Sequence, residues 1–259
     1  MSRYFKAKVT KNLSLNQKNN LLCIEPLEPT ANPYPGQFYM IAVNNAYDPL
    51  LKRPFSYFKK TSESIHFVYT VRGKGTELMR DLRQGEIIHI VGPLGTGYPK
   101  PEDGSVPLLV AGGTGVASIF SLAEGLFQEA YFLHGAKCKD EFLILDELKQ
   151  LERTPIMCMD CTDDGSYGGK GTVVDVLNTL LISESLQTSS CVVYACGPKL
   201  MLESLAKIVL DYGIKGYISL EENMACGFGA CLGCAVKTVH GYKRVCKEGP
   251  VFPIEEIVW

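Results

Sequence analysis

Val106-Pro107-Leu108-Leu109-Val110-Ala111-Gly112-Gly113-Thr114-Gly115 is the segment from which the architecture of this chain is best predicted. Its first six residues form a continuous apolar run, which is typical of a strand buried on both faces of a parallel sheet. A glycine turn and a segment with helical spacing, 116–127, follow it. Strand, turn and helix together predict a βα cradle for the phosphates of a dinucleotide. The glycines do not follow the G-x-G-x-x-G spacing, so this interpretation depends on the pattern around them.

Strand and helix patterns alternate from this stretch as far as Ser219. The predicted strands are 106–111, 130–134, 155–160, 191–195 and 214–219, and the predicted helices are 116–127, 141–151, 173–181 and 199–210. Such an alternation predicts a doubly wound parallel sheet. Open sheets of this kind bind ligands at the carboxyl ends of their strands, where the loops 161–168 and 196–198 follow. A proline that simply begins a helix is the alternative interpretation of the second loop.

The residues before about position 100 have β character and no convincing helical period. Their predicted strands are 5–10, 21–26, 37–43, 55–59, 65–71 and 87–91. Clusters of Pro, Gly and Asn separate these runs. Six short strands with turn signals between them predict a small antiparallel β-barrel.

Two motifs within the predicted barrel suit a flavin. In Arg53-Pro54-Phe55-Ser56, the guanidinium suits a pyrophosphate and the hydroxyl suits the edge of the ring. A strand that starts with a surface arginine is the simpler alternative for these four residues. The strand Val68-Tyr69-Thr70 leads to Gly75 and Thr76 at the start of a predicted helix. Backbone N–H groups at such a helix start are suited to binding phosphate.

Cys226, Cys231 and Cys234 have the C-x4-C-x2-C spacing of plant-type [2Fe–2S] sites. The segments 235–239 and 242–246 alternate around His240-Gly241, which predicts a hairpin with a tight turn. Pairing outward from that turn sets Cys246 opposite residue 235, next to Cys234. The hairpin therefore supplies a fourth thiolate. Tetrahedral zinc and a pair of disulfides are the alternatives for four cysteines.

Composition narrows the function classes and the compartment. The chain is 46% hydrophobic and 21% charged with a net charge of −2, which argues against a nucleic-acid partner or an anionic membrane surface. The amino terminus lacks the apolar region of a signal peptide, and no apolar run is long enough to span a membrane. We therefore expect a cytoplasmic protein. Its ten cysteines then indicate metal binding or burial rather than disulfides.

Together these pieces resemble the ferredoxin–NADP reductase superfamily and, within it, the electron-transfer subunits of class 1B dihydroorotate dehydrogenases. The resemblance covers essentially the whole chain. Its markers are 35–38 (PGQF), 53–56 (RPFS), 75–76 (GT), 92–95 (GPLG), 112–115 (GGTG), 163–168 (DDGSYG), 196–198 (CGP) and 221–226 (EENMAC) with the cysteine set. The superfamily's flavin motif is usually Arg-x-Tyr-Ser/Thr, and Phe55 replaces that tyrosine here.

The resemblance implies a fold class, three domains and three cofactors. The fold would combine an antiparallel FAD-binding β-barrel (1–101), a Rossmann-like α/β parallel sheet for NAD (102–215) and a small [2Fe–2S] domain (216–259). FAD would be bound by Arg53, Pro54, Phe55, Ser56, Val68, Tyr69, Thr70, Gly75 and Thr76. NAD(H) would be bound by Gly112, Gly113, Thr114, Gly115, Cys196, Gly197 and Pro198, and the cluster by Cys226, Cys231, Cys234 and Cys246.

The resemblance also implies a reaction and a partner. A separate FMN-containing catalytic subunit would oxidise dihydroorotate, in a heterotetramer of two copies of each subunit. Electrons would travel from FMN through the cluster and FAD to NAD+, and no general acid or base is assigned in this chain. A reductase subunit of a sulfhydrogenase or of a ferredoxin-linked transhydrogenase is the alternative, and a zinc-stabilised binding module without flavin is a third interpretation. Lys137 and Lys139 follow the second predicted strand of the α/β region and would suit the 2′-phosphate of NADP, so they leave the choice between NAD and NADP open.

Overall fold

The computed structural model describes residues 3–44, 48–151, 154–183 and 186–259. These residues form two compact units. The first unit runs to Gly97 and also contains Glu221–Val236 and Tyr242–Pro250, whereas the second contains Tyr98–Leu220, Lys237–Gly241 and Val251–Trp259. The predicted third domain, 216–259, is thus distributed over both units, and the division into three domains stays a prediction. Residues 1 and 2 of the predicted first domain lie outside the described residues.

Seven antiparallel strands and one short helix build most of the first unit. In chain order they are β1 (Arg3–Ser14), β2 (Asn19–Pro26), β3 (Phe38–Ile41), β4 (Arg53–Ser56), β5 (Lys59–Lys60), β6 (Ile65–Thr70), α1 (Lys74–Arg80) and β7 (Ile87–Leu94). The strands lie in the order β4-β3-β7-β1-β2-β6-β5. Alternate residues in the first half of β1 are buried, as expected for a strand that covers a core with one face.

This sheet curls, so that strands distant in its order share one core. The rings of Tyr39 on β3 and Phe67 on β6 meet edge to face with centroids 5.6 Å apart. Phe55 on the edge strand β4 lies 5.9 Å from Tyr69 on β6. The predicted antiparallel barrel is therefore confirmed as a curled half-barrel, in which β4 and β5 are the two edges of the hydrogen-bonded sheet.

The strand predicted over 55–59 is divided in the structure. Its first part belongs to β4 and its last residue to β5, and these strands lie at opposite edges of the sheet. Between them, Tyr57 and Phe58 are buried. The alternation of apolar residues predicted one strand because it carries no information about the point at which the chain crosses from one edge to the other.

The remaining elements contain the α/β sheet and a hairpin. They are β8 (Val106–Gly112), α2 (Gly115–Ala123), β9 (Ala130–Ala136), α3 (Leu145–Leu151), β10 (Ile156–Thr162), β11 (Gly169–Lys170), α4 (Val173–Ile182), β12 (Cys191–Cys196), α5 (Lys199–Asp211), β13 (Lys215–Ser219), β14 (Ala235–Thr238), β15 (Gly241–Arg244) and β16 (Val251–Pro253). The larger sheet has the order β11-β10-β9-β8-β12-β13-β16, and β14 and β15 form a two-stranded sheet.

The second unit is the predicted doubly wound sheet. Strands β8 to β13 pair in parallel, and β16 is antiparallel to β13. The chain moves outward from β8 to β10 and then returns to β12 and β13. Because crossovers are right-handed, this reversal puts α2 and α3 on one face and α4 and α5 on the other. In agreement, α4 and α5 share one hydrophobic core.

Several details of this unit differ from the sequence prediction. The helix predicted over 116–127 ends at Ala123, and the helix predicted over 141–151 begins at Leu145. The short strands β11 and β16 were not predicted. β16 has only three residues, too few for a recognisable alternation, and its pairing with β13 is decided by tertiary contact. None of the helices that the structure describes is both long and apolar enough to cross a lipid bilayer.

Candidate cofactor sites

Four thiols of the first unit meet from two parts of what we call the cluster segment, Cys226–Cys246. A hydrogen bond joins the side chains of Cys226 and Cys231. Another joins Cys234 and Cys246, and the backbone N–H of Cys246 lies 3.4 Å from the Cys234 Sγ. The charge on Cys226 also acts on Cys246. The structure therefore brings the four predicted ligands together as two neighbouring pairs.

Backbone N–H groups already point at these sulfurs. Burial disfavours the Cys226 thiolate, but N–H donors of Cys231, Phe228 and Ala230 outweigh it, so the pKa of Cys226 is lowered. At Cys246 burial and the adjoining Cys234 raise the pKa, and the N–H of Gly229 opposes them. Hydrogen bonds of this kind stabilise charge on cluster sulfurs and tune the reduction potential.

The hairpin returns Cys246 to the loop, although its turn lies one residue earlier than predicted. The turn residues are Val239 and His240, and Gly241, with φ 95°, begins β15. The N–H of Val245 donates to the carbonyl oxygen of Cys234 at 3.0 Å. Cys234 therefore faces residue 245, and the pairing of Cys246 with residue 235 is wrong by a small shift. The predicted proximity of Cys246 and Cys234 is nevertheless present.

Two neighbouring thiol pairs suit two irons that share bridging sulfides. A tetrahedral zinc site is the alternative arrangement, and it needs four ligands around one point. The described residues contain no group of three Cys, His, Asp or Glu side chains placed to hold a single ion. The disulfide alternative is wrong, since all ten cysteines lie in described residues and none of them forms a disulfide.

Sequence analysis missed two charged residues beside this site. The Arg244 Nη1 donates to the carbonyl oxygen of Gly229 at 2.9 Å. Its Nε donates to the Glu248 Oε2 at 3.0 Å, and its backbone N–H donates to the same oxygen at 2.7 Å. These hydrogen bonds lower the pKa of Glu248 to about 2. An Arg and a Glu four residues apart are common on surfaces, so no local pattern indicates this contact.

The residues predicted for FAD come together within the first unit. Arg53, Pro54, Phe55 and Ser56 form β4, a half-buried edge strand. The Arg53 guanidinium covers Gly75 at the start of α1, where a Cβ would lie 2.8 Å from the Arg53 Nε. The guanidinium thus lies against the start of a helix that offers backbone N–H groups, which fits a pyrophosphate.

Tyr69, Thr70 and Thr76, three of the residues predicted to bind FAD, have hydroxyl groups that are bonded to protein. The Tyr69 hydroxyl donates to the Asn12 Oδ1 at 3.0 Å, and burial raises the pKa of Tyr69 to about 12. Thr70 donates to the Asn19 Oδ1 at 2.6 Å, and Thr76 donates to the backbone of the turn before α1 at 3.0 Å. Asn12, which sequence analysis missed, also donates to three carbonyl groups at the end of α1. Neighbouring Val68 is buried.

The predicted NAD residues lie where the strand order of the second unit reverses. Gly112 ends β8, and the rest of Gly112–Gly115 follows that strand. Cys196 ends β12, the strand beside β8, and the rest of Cys196–Pro198 follows it. We call these two loops the nucleotide cradle. A Cβ at Gly115 would lie 2.2 Å from the Cys196 carbonyl oxygen. The carboxyl ends of strands at such a reversal are the ligand-binding position of doubly wound sheets.

Different glycines of the nucleotide cradle serve different purposes. Cβ atoms at Gly112 and Gly197 would each lie 2.5 Å from the Met201 side chain, so these glycines allow α5 to pack. Gly113 has φ 54°, and a Cβ there would meet no described atom within 4 Å. Its open surroundings beside Thr114 fit the approach of a pyrophosphate to the backbone at the start of α2.

A buried hydroxyl cluster supports the nucleotide cradle, and sequence analysis missed it. The Tyr98 hydroxyl lies 3.2 Å from the Ser118 Oγ of α2 and also hydrogen-bonds Ser219 of β13. Ser219 pairs with Cys196 in the sheet register. Burial and the nearby Cys196 raise the pKa of Tyr98 well above its ordinary value, so this phenol stays neutral. No local pattern around Tyr98 announces these contacts.

The cysteines outside the cluster segment behave as structural thiols. Cys23, Cys161 and Cys191 are buried. Burial raises the pKa of Cys161 to about 11, and it raises those of the other two. Thiols with raised pKa values are poor nucleophiles. Nothing in these pKa values therefore indicates a redox role for Cys161 together with Cys158. The Cys158 thiol donates weakly to a backbone carbonyl oxygen at 3.9 Å.

Two domain families match the chain at these sites. The iron–sulfur cluster binding domain of dihydroorotate dehydrogenase B matches residues 221–258, which include all four cluster cysteines. The oxidoreductase NAD-binding domain matches residues 109–207, which include both loops of the nucleotide cradle. The predicted classes of these two regions are thereby confirmed.

Solved structures confirm the fold. An NADH-dependent reduced ferredoxin–NADP oxidoreductase, studied for flavin-based electron bifurcation, superposes with a TM-score of 0.85 at 25% identity, over 98% of this chain and 90% of that chain. A ferredoxin NADP+ reductase from Neisseria gonorrhoeae, with bound FAD and NADP, superposes with a TM-score of 0.69 at 18% identity, over 86% and 95% of the two chains. The ferredoxin–NADP reductase fold is therefore present.

Curated relatives identify the family. The dihydroorotate dehydrogenase B (NAD(+)) electron transfer subunit of Caldanaerobacter subterraneus is 39% identical over 232 residues, 88% of each chain. The protein of the same name from Desulforamulus reducens is 34% identical over 269 aligned positions, 100% of each chain. This chain belongs to the family of dihydroorotate dehydrogenase B (NAD(+)) electron transfer subunits.

Proposed function

We propose that this chain passes electrons from an FMN-containing catalytic subunit, which oxidises dihydroorotate, through a [2Fe–2S] cluster and FAD to NAD+ in pyrimidine biosynthesis. The observation that carries the proposal is the meeting of four thiols in two pairs, with backbone N–H donors directed at them. The proposed assembly is a heterotetramer with two copies of each subunit.

The proposed cluster ligands are Cys226, Cys231, Cys234 and Cys246. The first three come from one loop, so their spacing along the chain fixes their separation. Cys246 would be held beside Cys234 by the hairpin, in which the Val245 N–H donates to the Cys234 carbonyl oxygen.

The proposed FAD residues are those of β4, Val68-Tyr69-Thr70 and Gly75-Thr76. When bound, FAD exchanges a hydride with a nicotinamide and single electrons with an iron–sulfur cluster. Arg53 would neutralise the pyrophosphate beside Gly75. The Tyr69 hydroxyl is committed to Asn12, so this residue would contribute its ring and backbone rather than its phenol.

The proposed NAD(H) residues are those of the nucleotide cradle. Gly113 and Thr114 would present backbone N–H groups to the pyrophosphate at the start of α2. Cys196 would border the nicotinamide, and the contact between Gly115 and the Cys196 carbonyl oxygen fixes the distance between the two loops. The buried hydroxyl cluster of Tyr98, Ser118 and Ser219 would exclude water from the side of the cradle that faces the sheet.

Two measurements on anaerobically purified protein test the proposal. Absorption and EPR spectra, with FAD, iron and acid-labile sulfide assays, should give one FAD, two irons and two sulfides per chain. Mixing the chain with an FMN-containing dihydroorotate dehydrogenase subunit should then create dihydroorotate-dependent NAD+ reduction, which neither protein shows alone. A colourless protein that contains zinc and no FAD would contradict the proposal and favour a zinc-stabilised binding module.

One alternative has an observation in its favour. The likeness to the NADH-dependent reduced ferredoxin–NADP oxidoreductase extends over 98% of this chain. A reductase subunit of a ferredoxin-linked transhydrogenase, or of a sulfhydrogenase, would carry the same three cofactors. Isolating the chain with its native partner separates these functions, since only the proposed one yields an FMN protein that oxidises dihydroorotate.

The proposal includes a cytoplasmic location. Free thiols at all ten cysteines agree with a reducing compartment, where disulfides are rare. Cell fractionation followed by immunoblotting checks this location, and recovery of the chain outside the cytoplasmic fraction would contradict it.

A further inference from the structure

The segment around Cys246 contains an ion pair whose position is too specific for an ordinary surface contact. Only 27% of the Arg244 side chain and 32% of the Glu248 side chain are exposed to solvent. The carboxylate accepts from the Nε, the Nη2 and the backbone N–H of Arg244. A bidentate guanidinium–carboxylate pair with a third backbone donor has a defined geometry, unlike most exposed ion pairs.

Arg244 connects the two parts of the chain that supply the thiols. Its Nη1 reaches across to the Gly229 carbonyl oxygen, in the middle of the loop that carries three cysteines. Its own carbonyl oxygen accepts from the N–H groups of Lys247, Glu248 and Gly249, which closes the turn around Cys246. Loop, hairpin and turn are thus joined at one residue.

Gly229 has the conformation that this contact requires. Its φ is 89°, which few side chains tolerate. A Cβ there would lie 3.3 Å from the Arg244 Nη1 and 2.8 Å from the Lys247 side chain. The same Gly229 gives its N–H to Cys246. One residue, Gly229, therefore accepts from the guanidinium with its carbonyl oxygen and donates to a ligand sulfur with its N–H.

The Arg244 charge also acts on two of the cluster ligands. The Arg244 charge interacts with Cys246 and Cys234 as well as with Glu248. Reduction of a cluster adds one negative charge, which a nearby cation stabilises and a nearby anion destabilises. In the intact pair the two effects oppose each other, whereas removal of one partner leaves the other uncompensated.

We propose that Arg244 and Glu248 are positioning residues of the cluster site, which hold Cys246 against the loop and set the reduction potential by compensating each other's charge. This inference deepens the proposed function and depends on its cluster assignment. It assigns a role to the ion pair that is separate from binding the irons.

Four variants of the full chain, purified anaerobically with FAD, test the inference by EPR-monitored redox titration. Arg244→Gln should lower the cluster's reduction potential, Glu248→Gln should raise it, and the double variant should return it towards the parent value. Arg244→Lys keeps the charge but loses the forked contact, so its potential should stay closer to the parent while a chelator removes iron several-fold faster. FAD content and circular dichroism check that each variant is folded.

Lys243→Gln is the matched control. It removes one positive charge from the neighbouring position of β15, where successive side chains point to opposite faces. Its potential and its rate of iron loss should match those of the parent. Single variants that shift the potential in the same direction, or not at all, would overturn the inference while leaving the cluster assignment intact. Absence of a cluster from the parent protein would instead overturn both.

Discussion

The cluster segment and the nucleotide cradle prepare their sites in opposite ways. The cluster segment presents side chains from a loop and a hairpin, which polar contacts such as Arg244–Gly229 fix in place. The nucleotide cradle presents backbone groups at the ends of buried strands. Its two loops meet where Gly115 packs against the Cys196 carbonyl oxygen so closely that a Cβ would not fit. A thiolate site thus needs little regular structure, whereas a backbone site depends on the whole sheet.

The largest effect is expected from Cys231→Ala. It should abolish the cluster's visible absorption and EPR signal, because one iron loses a ligand, while FAD content and NADH-dependent dye reduction persist. Anaerobic absorption spectra and dye assays measure both. Cys138→Ala, at a half-buried thiol outside the cluster segment, should leave both signals unchanged. Loss of dye reduction in a folded, FAD-loaded Cys231→Ala protein would contradict the proposed series of cofactors.

Gly115→Val tests the backbone site in the same way. The new side chain collides with the Cys196 carbonyl oxygen and separates the two loops. Overpacking costs about 1–3 kcal/mol, and the same loss of binding free energy corresponds to roughly a 5-fold to 150-fold rise in the NADH dissociation constant. Calorimetric titration of NADH measures it, with the cluster spectrum retained. Gly125→Ala is the control, since a Cβ there meets only an ordinary contact at 3.7 Å. Unchanged NADH affinity in Gly115→Val would contradict the assigned cradle.

Arg53→Gln examines an intermediate case, in which a side-chain charge and a glycine backbone act together. The loss of a charged hydrogen bond to the pyrophosphate should weaken FAD binding by about 1.5–3 kcal/mol. Fluorescence titration of released FAD measures the affinity. Lys52→Gln removes the same charge from the preceding residue and should change little. Equal FAD affinity in Arg53→Gln and the parent would remove Arg53 from the flavin site.

Asp175→Asn probes the stability of the sheet unit without touching a proposed ligand. The Asp175 carboxylate accepts from the N–H and hydroxyl of Thr172 at the start of α4, and these bonds lower the pKa of Asp175. A lowered pKa adds stability above the unfolded-state value near 3.8, and this contribution is lost as the pH falls further. The variant should lose roughly 1 kcal/mol at neutral pH and less in acid. Denaturant unfolding at several pH values checks this, and a pH-independent difference would be inconsistent with it.

The smallest effect concerns the choice between NAD and NADP. Lys137 and Lys139 are exposed after β9, and the Lys139 backbone N–H donates to the Ser166 hydroxyl at 2.8 Å. We expect NADH to be the better substrate, and a double alanine variant should change its kcat/KM less than about twofold, as is usual for surface residues. A selective loss of activity with NADPH would reveal a contact with the 2′-phosphate.

Much of the fold was predictable from local patterns, and the failures have a common cause. The apolar run before Gly112 predicted a buried parallel strand because both of its faces are covered. The single strand predicted around Phe55 was wrong, because the crossing between sheet edges depends on residues distant in the chain. The predicted hairpin suggested Cys246 as the fourth ligand, but the turn at Val239-His240 shifted its register.

Local patterns in the amino-acid sequence were enough to predict most strands and helices of the α/β sheet, the spacing of three cysteines and the two glycine turns. Each of these features follows from the conformational preferences or the reach of a few adjacent residues. The contacts of Arg53 with Gly75, of Tyr98 with Ser118 and Ser219, and of Arg244 with Gly229 and Glu248 depend instead on the folded chain. Most of these contacts join residues far apart in the chain, and they form because folding fixes the distances between the partners.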